Sequence, residues 1–187
     1  TGKAIPDPQR QWFFAEGHAG TIDTWFSIAN TNAAEAHVEV RYMLEDGQVV
    51  RRTHTMGANA RMTVYANAVP ELAGRSFATT IVSDVPVTAD RSMYFDALGT
   101  FWKAGTTSAG VEAPARTWYV AEGHTGPFFS EYLLIQNPND EAATVDVRFL
   151  RPSAPALERK YRMAPNSRTT VAVNDVPGLA DTAVSAA

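Results

Sequence analysis

A chain of 187 residues with 45% apolar and 19% charged residues has a globular balance, and its length admits one large domain or two of ordinary size. The formal net charge is -4, with acids and bases interspersed, so composition disfavours a nucleic-acid or other polyanion partner. No cysteine is present, which removes a disulfide framework, a thiolate zinc site and a cysteine nucleophile from consideration but leaves the compartment open.

The opening, Thr1-Gly-Lys-Ala-Ile-Pro-Asp-Pro8, lacks the parts of a signal peptide and reads as a linker, which makes the chain look like a piece of something longer. The longest apolar stretches, such as Tyr132-Leu-Leu-Ile135, fall far short of the roughly 20 residues of a membrane-spanning helix, so no membrane span is expected. Residues 11–16 alternate in the β manner up to Gly17, and Thr24–Ala29 is a second strand closed by the turn formers Asn30-Thr-Asn32. In His37–Leu44, Val38, Val40, Tyr42 and Leu44 share one face while Glu39 and Arg41 share the other, the pattern of a strand buried on one side. Glu45-Asp-Gly-Gln48 predicts a tight two-residue hairpin, with 48–55 returning antiparallel. Strands follow over 61–65, 76–82 and 87–95, separated by loops at Asn67-Ala-Val-Pro70 and Ser83-Asp-Val-Pro86. Seven short strands with turn signals about every 8–12 residues predict an all-β antiparallel sandwich, Ig-like or jelly-roll-like.

The chain then repeats itself. Trp12-Phe-Phe-Ala-Glu-Gly-His-Ala-Gly20 returns as Trp118-Tyr-Val-Ala-Glu-Gly-His-Thr-Gly126, an offset of 106 residues that becomes 107 after one insertion. Asn30-Thr-Asn32 meets Asn137-Pro-Asn139, Val38–Tyr42 meets Val145–Phe149, Asn59-Ala-Arg61 meets Asn166-Ser-Arg168, and Asn67–Pro70 meets Asn174–Pro177. The expected organisation is a linker over 1–10, a first sandwich repeat over 11–101, a Gly- and Thr-rich linker over 102–116 and a second, incomplete repeat over 117–187. Ala187 corresponds to Thr80, so the second copy is expected to want its last strand, supplied by a longer natural chain or by augmentation from another one.

The combination Trp118-x-x-Ala-Glu-Gly123, Asn137-x-Asn139, Ala143–Val147, Arg168-x-Thr170 and Asn174-Asp175, with Phe77–Pro86 in the first copy, resembles the small soluble sensory rhodopsin transducer family. It resembles still more the tandem β-sandwich modules of secreted and cell-wall proteins from Gram-positive, high-GC bacteria. The resemblance implies a sandwich that assembles with copies of itself and works by interaction, not catalysis. The transducer family forms rings of single domains, and because this chain is a tandem pair, neither that oligomeric state nor a photoreceptor partner carries over. The secreted-module resemblance implies an extracellular or cell-surface setting.

Candidate sites are few. Glu16 and His18, like Glu122 and His124, lie two apart; on a continuous strand both side chains would share a face and could serve as base and acid or as two metal ligands. A third ligand is not evident, and the alternative is a Glu that caps a turn, a Gly that permits it and a His bonded to backbone. Trp12 and Trp118 fit the core of a patterned strand better than a sugar platform. Trp25, Trp102, Phe128 and Phe129, beside Gly, Thr and Pro in loop or edge positions, are the surface aromatics that could recognise a ligand, or in the case of Phe128 and Phe129 pack between copies. Arg61 and Arg168 suit a structural bond to a loop carbonyl or a grip on a carboxylate, and Asp90-Arg91 a pair along the last strand. Gly-x-Ser-x-Gly, phosphate loops and paired Cys motifs are missing, so the sequence suggests no enzyme, cofactor or metal. Two partner classes remain: further copies joined through sandwich edges, in a structural or adhesive role, and a polysaccharide bound by a module that tethers an enzyme. A transducer-like intracellular oligomer is a third alternative.

Overall fold

The computed structural model describes residues 4–97 and 100–187, which form antiparallel β-sheets with short 3-10 turns. Unit one contains β1 (Gln9–Phe14), β2 (His18–Ala19), β3 (Ile22–Asn30), β4 (Ala36–Leu44), β5 (Val49–Met56), β6 (Ala60–Tyr65), β7 (Arg75–Ala97) and β8 (Thr100–Ala109). Its sheet runs β5-β4-β7-β3-β6, with β1, β2 and β8 also paired to β7. Alternation explains the packing: Val38, Val40, Tyr42 and Leu44 of β4 face inward with Phe26 and Ile28 of β3, Trp12 and Phe14 of β1, and Phe77 and Ile81 of β7.

Three features of unit one correct the sequence expectation. The loop expected at Ser83-Asp-Val-Pro86 is instead a bend inside the single long strand β7. Before the bend β7 pairs with β4 as far as Val38↔Ser83, and after it with β3 from Ala29↔Thr88 onward. Pro86, which has no N–H to give, falls where the strand leaves one ladder for the other, and the register of β1 against β7 slips at the same place. The stretch expected as a linker also contributes β8, which folds back on β7 from Asp90↔Ala109 to Ala97↔Thr100. Its Gly and Thr content hid it. The hairpin after β4 closes with Leu44 N–H donating to Gln48 O at 2.9 Å, leaving three residues in the loop with Gly47 at φ 83°, a Gly-bulge turn and not the two-residue turn expected.

Unit two contains β9 (Tyr132–Asn137), β10 (Ala143–Arg151), β11 (Ala154–Met163), β12 (Ser167–Ala172) and β13 (Ser185–Ala186). Equivalent residues repeat equivalent bonds. Asn30 Nδ2 donates to Ala34 O and Gly57 O at 2.8 and 2.9 Å, and Asn137 Nδ2 to Glu141 O and Ala164 O, both at 2.8 Å. Asn59 and Asn166 take the left-handed conformation at φ 48° and 47° that an amide side chain tolerates. Phe77 N–H donates to Gly17 O at 2.9 Å and Val184 N–H to Gly123 O at the same distance. The ladders also match: β11-β10-β13 repeats β5-β4-β7, and β12-β9 repeats β6-β3. The second core, around Val147, Phe149, Val171, Val173, Leu179 and Val184, is smaller than the first.

The units touch through β9 and β12 of unit two and the outer face of β4 and β7 in unit one. Gln136 Nε2 donates to Thr80 Oγ1 at 3.0 Å, Thr170 Oγ1 to Glu45 Oε1 at 3.2 Å, and Arg168, only 2% exposed, lies 3.7 Å from Glu45. Met43, Ala78, Thr79 and Thr80 of unit one are buried.

Candidate functional site

The Glu-Gly-His segment of unit one is built for packing. Between β1 and β2 the strand is interrupted, so Glu16 and His18 do not share a strand face as a catalytic or metal pair would need. The Phe77 ring lies on Gly17 so closely that any Cβ there would collide with it. Arg91, 6% exposed, reaches Glu16 twice, donating from Nη1 to its backbone O and from Nη2 to its carboxylate, each at 2.8 Å. The Asp90–Arg91 pair expected from sequence is thereby replaced: neighbours on a strand point to opposite faces, and Arg91 points inward. His18 Nδ1 sits 3.2 Å from Ser76 Oγ, its peptide bonds are tied to Thr24 Oγ1, and burial, helped by nearby Arg168, holds its pKa down. Among the described residues no three His, Asp or Glu side chains gather as metal ligands.

Trp25 and Trp102, expected in loop or edge positions, are brought together by a residue the sequence did not single out, Asp23. Trp25 stands on the outward face of central strand β3 and stacks on its β6 neighbour Tyr65, ring centroids 4.0 Å apart. Tyr65 Oη donates to one oxygen of the Asp23 carboxylate, and Trp102 Nε1 donates to the other at 2.7 Å. Trp102 itself has φ 51°, costly for a bulky residue, and Asp96 Oδ1 accepts its N–H at 3.0 Å. Phe101 and Tyr94 stack on Trp102 at 5.0 and 5.4 Å. Rings at such separations lie on one another, not side by side, and so do not form the flat platform that a pyranose ring needs. Their contacts pin the β7–β8 hairpin to β3, while Phe101 stays 71% exposed.

In unit two the corresponding groups are open. Glu122 and His124 are exposed, and Phe128 and Phe129, 87% and 51% exposed, touch each other in the loop before β9, with Phe129 tilted against the His124 ring. Phe128 and Phe129 therefore show no packing between the units. Glu131 takes the position of Thr24: its N–H donates to Asn174 Oδ1 at 2.8 Å, as Thr24 N–H does to Asn67 Oδ1 at 3.0 Å. Val184 is smaller than its counterpart Phe77, and the Glu131 carboxylate fills the space over Gly123 instead. Desolvation first, then the Glu122 charge, pushes the Glu131 pKa up, and its Oε2 is buried without a hydrogen-bond partner. Trp118 is 52% exposed where Trp12 is 1% exposed. Among the described residues β9 pairs with β12 alone, whereas β3 has β6 on one side and β7 on the other. A groove of about 510 Å³ opens beside this region, lined by Glu122, His124, Leu150, Pro152, Ala183 and Ser185. Several of these are the unit-two equivalents of unit-one residues at or near the contact between units, Leu150 for Met43 and Pro152 for Glu45.

The fold is that of a tandem antiparallel β-sandwich protein. No family model and no curated protein matches the chain. A solved structure of Thermotoga maritima 1070 is similar over 57% of this chain and 96% of its own, with a TM-score of 0.52 at 17% identity, which supports the fold and nothing finer. The Anabaena sensory rhodopsin transducer matches over 47% of this chain and 99% of its own at 24% identity; its TM-score of 0.40 adds no argument.

Proposed function

We propose that this chain is a non-catalytic structural module that self-associates head to tail, within a larger extracellular or cell-surface protein. The observation that carries the reading is the contact between the two units: β9 and β12 of unit two, with Arg168, Gln136 and Thr170, seat on the unit-one face that bears Glu45, Thr80 and the Glu-Gly-His segment. Both halves of that contact recur unoccupied. Unit one carries Arg61 at the position of Arg168, exposed and bonded to Ser27 Oγ and Thr63 Oγ1 at 3.3 and 3.1 Å. Unit two carries the groove with Glu122 at the position of Glu16. Unlike surfaces on opposite units make a heterologous contact, which propagates into a filament or closes into a ring. The extracellular setting rests on the resemblance to secreted modules.

Sedimentation or light scattering tests this. The wild type should associate with rising concentration, Arg61→Glu and Glu122→Arg should each stop growth, and an equimolar mixture of the two should yield capped dimers, since each variant retains one intact surface. A monomeric wild type, or variants that assemble unchanged, would contradict it. A polysaccharide role is the alternative; retention on cell-wall or plant glycan that Trp102→Ala abolishes would favour it.

A further inference from the structure

Inside unit one, the β4–β5 pair carries polar groups that the matching pair of unit two does without. Alternate residues of β5, Val50, Arg52, His54 and Met56, are the more buried ones, and across the ladder Val40 faces Arg52 and Val38 faces His54. Tyr42 is two residues along β4 from Val40 and so a diagonal neighbour of Arg52, a separation of roughly 7–8 Å that an aromatic and a long side chain can close. Tyr42 is fully buried, and among the described residues its Oη has no hydrogen-bond partner; the buried His54 Nε2 has none either. Arg52 stands between them in register. Its Nη2 donates to Glu71 Oε2 at 2.6 Å in a half-exposed ion pair, and its Nη1 to Arg51 O at 2.8 Å. Its charge reaches both buried groups: burial first, then this guanidinium, holds the His54 pKa down, and for Tyr42 burial pushes the hydroxyl up while Arg52 pulls the other way.

A buried hydroxyl and a buried imidazole nitrogen without partners cost stability, and the sandwich itself has no need of them. Unit two shows this. Phe149, 1% exposed, holds the place of Tyr42 in the same ladder, Tyr161 that of His54, and Gly178 that of Glu71. The arginine alone is kept, as Arg159, whose Nη2 donates to Pro177 O at 3.3 Å.

We propose that Tyr42 Oη, His54 Nε2 and the Arg52 guanidinium form a binding site in unit one for a single small inorganic anion of halide size. All three can donate: the hydroxyl through its O–H, the imidazole as the Nε2–H tautomer, and the guanidinium through the N–H groups not given to Glu71 and Arg51 O. Donors gathered beside a permanent cation call for a partner with lone pairs and negative charge. The carboxylate that now answers Arg52 belongs to a half-exposed pair, which contributes little and is readily exchanged, so Arg52 is the movable wall through which the ion enters. Because neither buried atom touches solvent, the site takes a monatomic ion and excludes ligands the size of sulfate or a sugar acid.

The test titrates the 187-residue chain with sodium chloride or bromide, against sodium gluconate at matched ionic strength. Expected with the halides are saturable shifts of the His54 ring resonances and of the amides of 40–42 and 52–54, with the matched amides of 147–149 and 159–161 unmoved, and a rise in melting temperature that gluconate does not give. Tyr42→Phe copies the residue that unit two carries; it should fold normally and bind at least about tenfold more weakly. Arg52→Gln should lose the saturable response. Glu71→Gln should bind more tightly, because the competing carboxylate is gone, a sign that a purely structural ion pair would not produce. The proposal is overturned by shifts that fail to saturate or that gluconate reproduces, by equal shifts in unit two, by a Tyr42→Phe or Arg52→Gln variant that responds as the wild type does, or by weaker binding in Glu71→Gln. The site lies within one unit, and its test does not depend on head-to-tail docking.

Discussion

Trp12 and Trp118 open the same nine-residue motif, yet one is 1% exposed and the other 52%. The same contrast runs through the units. Arg91 answers Glu16 with two bonds at 2.8 Å, while Glu122 faces solvent beside another acid; Arg168 is buried between units, while its equivalent Arg61 is exposed. Local sequence sets the Asn30 and Asn137 bridges and the ladders that the two units share. Whether a face becomes core or surface is decided by what lies across from it, and that is a long-range property.

Perturbations of matched positions should therefore have unmatched effects. The largest is Trp12→Ala, which removes a buried aromatic and its hydrogen bond to Val87 and should destabilise unit one by about 3–5 kcal/mol in denaturant unfolding, against about 0.5 kcal/mol or less for Trp118→Ala. Next comes Arg91→Met, which leaves the Glu16 carbonyl and carboxylate without their donor and should cost about 2 kcal/mol by the same measurement. Glu122→Gln should fall within about 0.5 kcal/mol of the wild type. Arg168→Ala should cost about 1–2 kcal/mol because it leaves a void and the Glu45 side chain unanswered between units, and Arg61→Ala almost nothing.

The smallest effect is a pH dependence confined to unit two. Glu131 has a raised pKa in the folded state, so its ionisation opposes folding: the penalty is absent below the unfolded carboxylate range near pH 4.5, grows as pH rises, and is complete above the folded value. Unit two should thus lose a little stability as pH climbs from acid toward neutral. Glu131→Gln should flatten that part of the profile and leave unit one unchanged. Retention of the slope in the variant would assign it to other groups.

The β-sandwich class was legible because period-two alternation in 37–44 and its copy in 145–149 is strong, and turn residues punctuate it. Copy-to-copy register was legible for the same reason that the Asn bridges recur: they are local. The hairpin strand β8 was not, since Thr, Gly and Ala carry little pattern, and Gly105 is there because the Tyr94 ring and the Met93 carbonyl lie within about 3 Å of where a Cβ would be. The bend at 83–86 looked like a loop because Pro punctuates either. Of the site residues, Trp25 and Trp102 are legible as candidates, but nothing in the sequence links them: Asp23 sits two residues before Trp25 on β3, while Tyr65 and Trp102 reach it from β6 and β8. Glu131 carried a usable signal, an acid at the register of a Thr that is fully buried in the first copy.

Hydrogen exchange of β9 set against β3 reaches the heart of the comparison. The account predicts that β3 amides are protected on both edges and that β9 amides directed away from β12 exchange rapidly. Equal protection of β3 and β9 would contradict it.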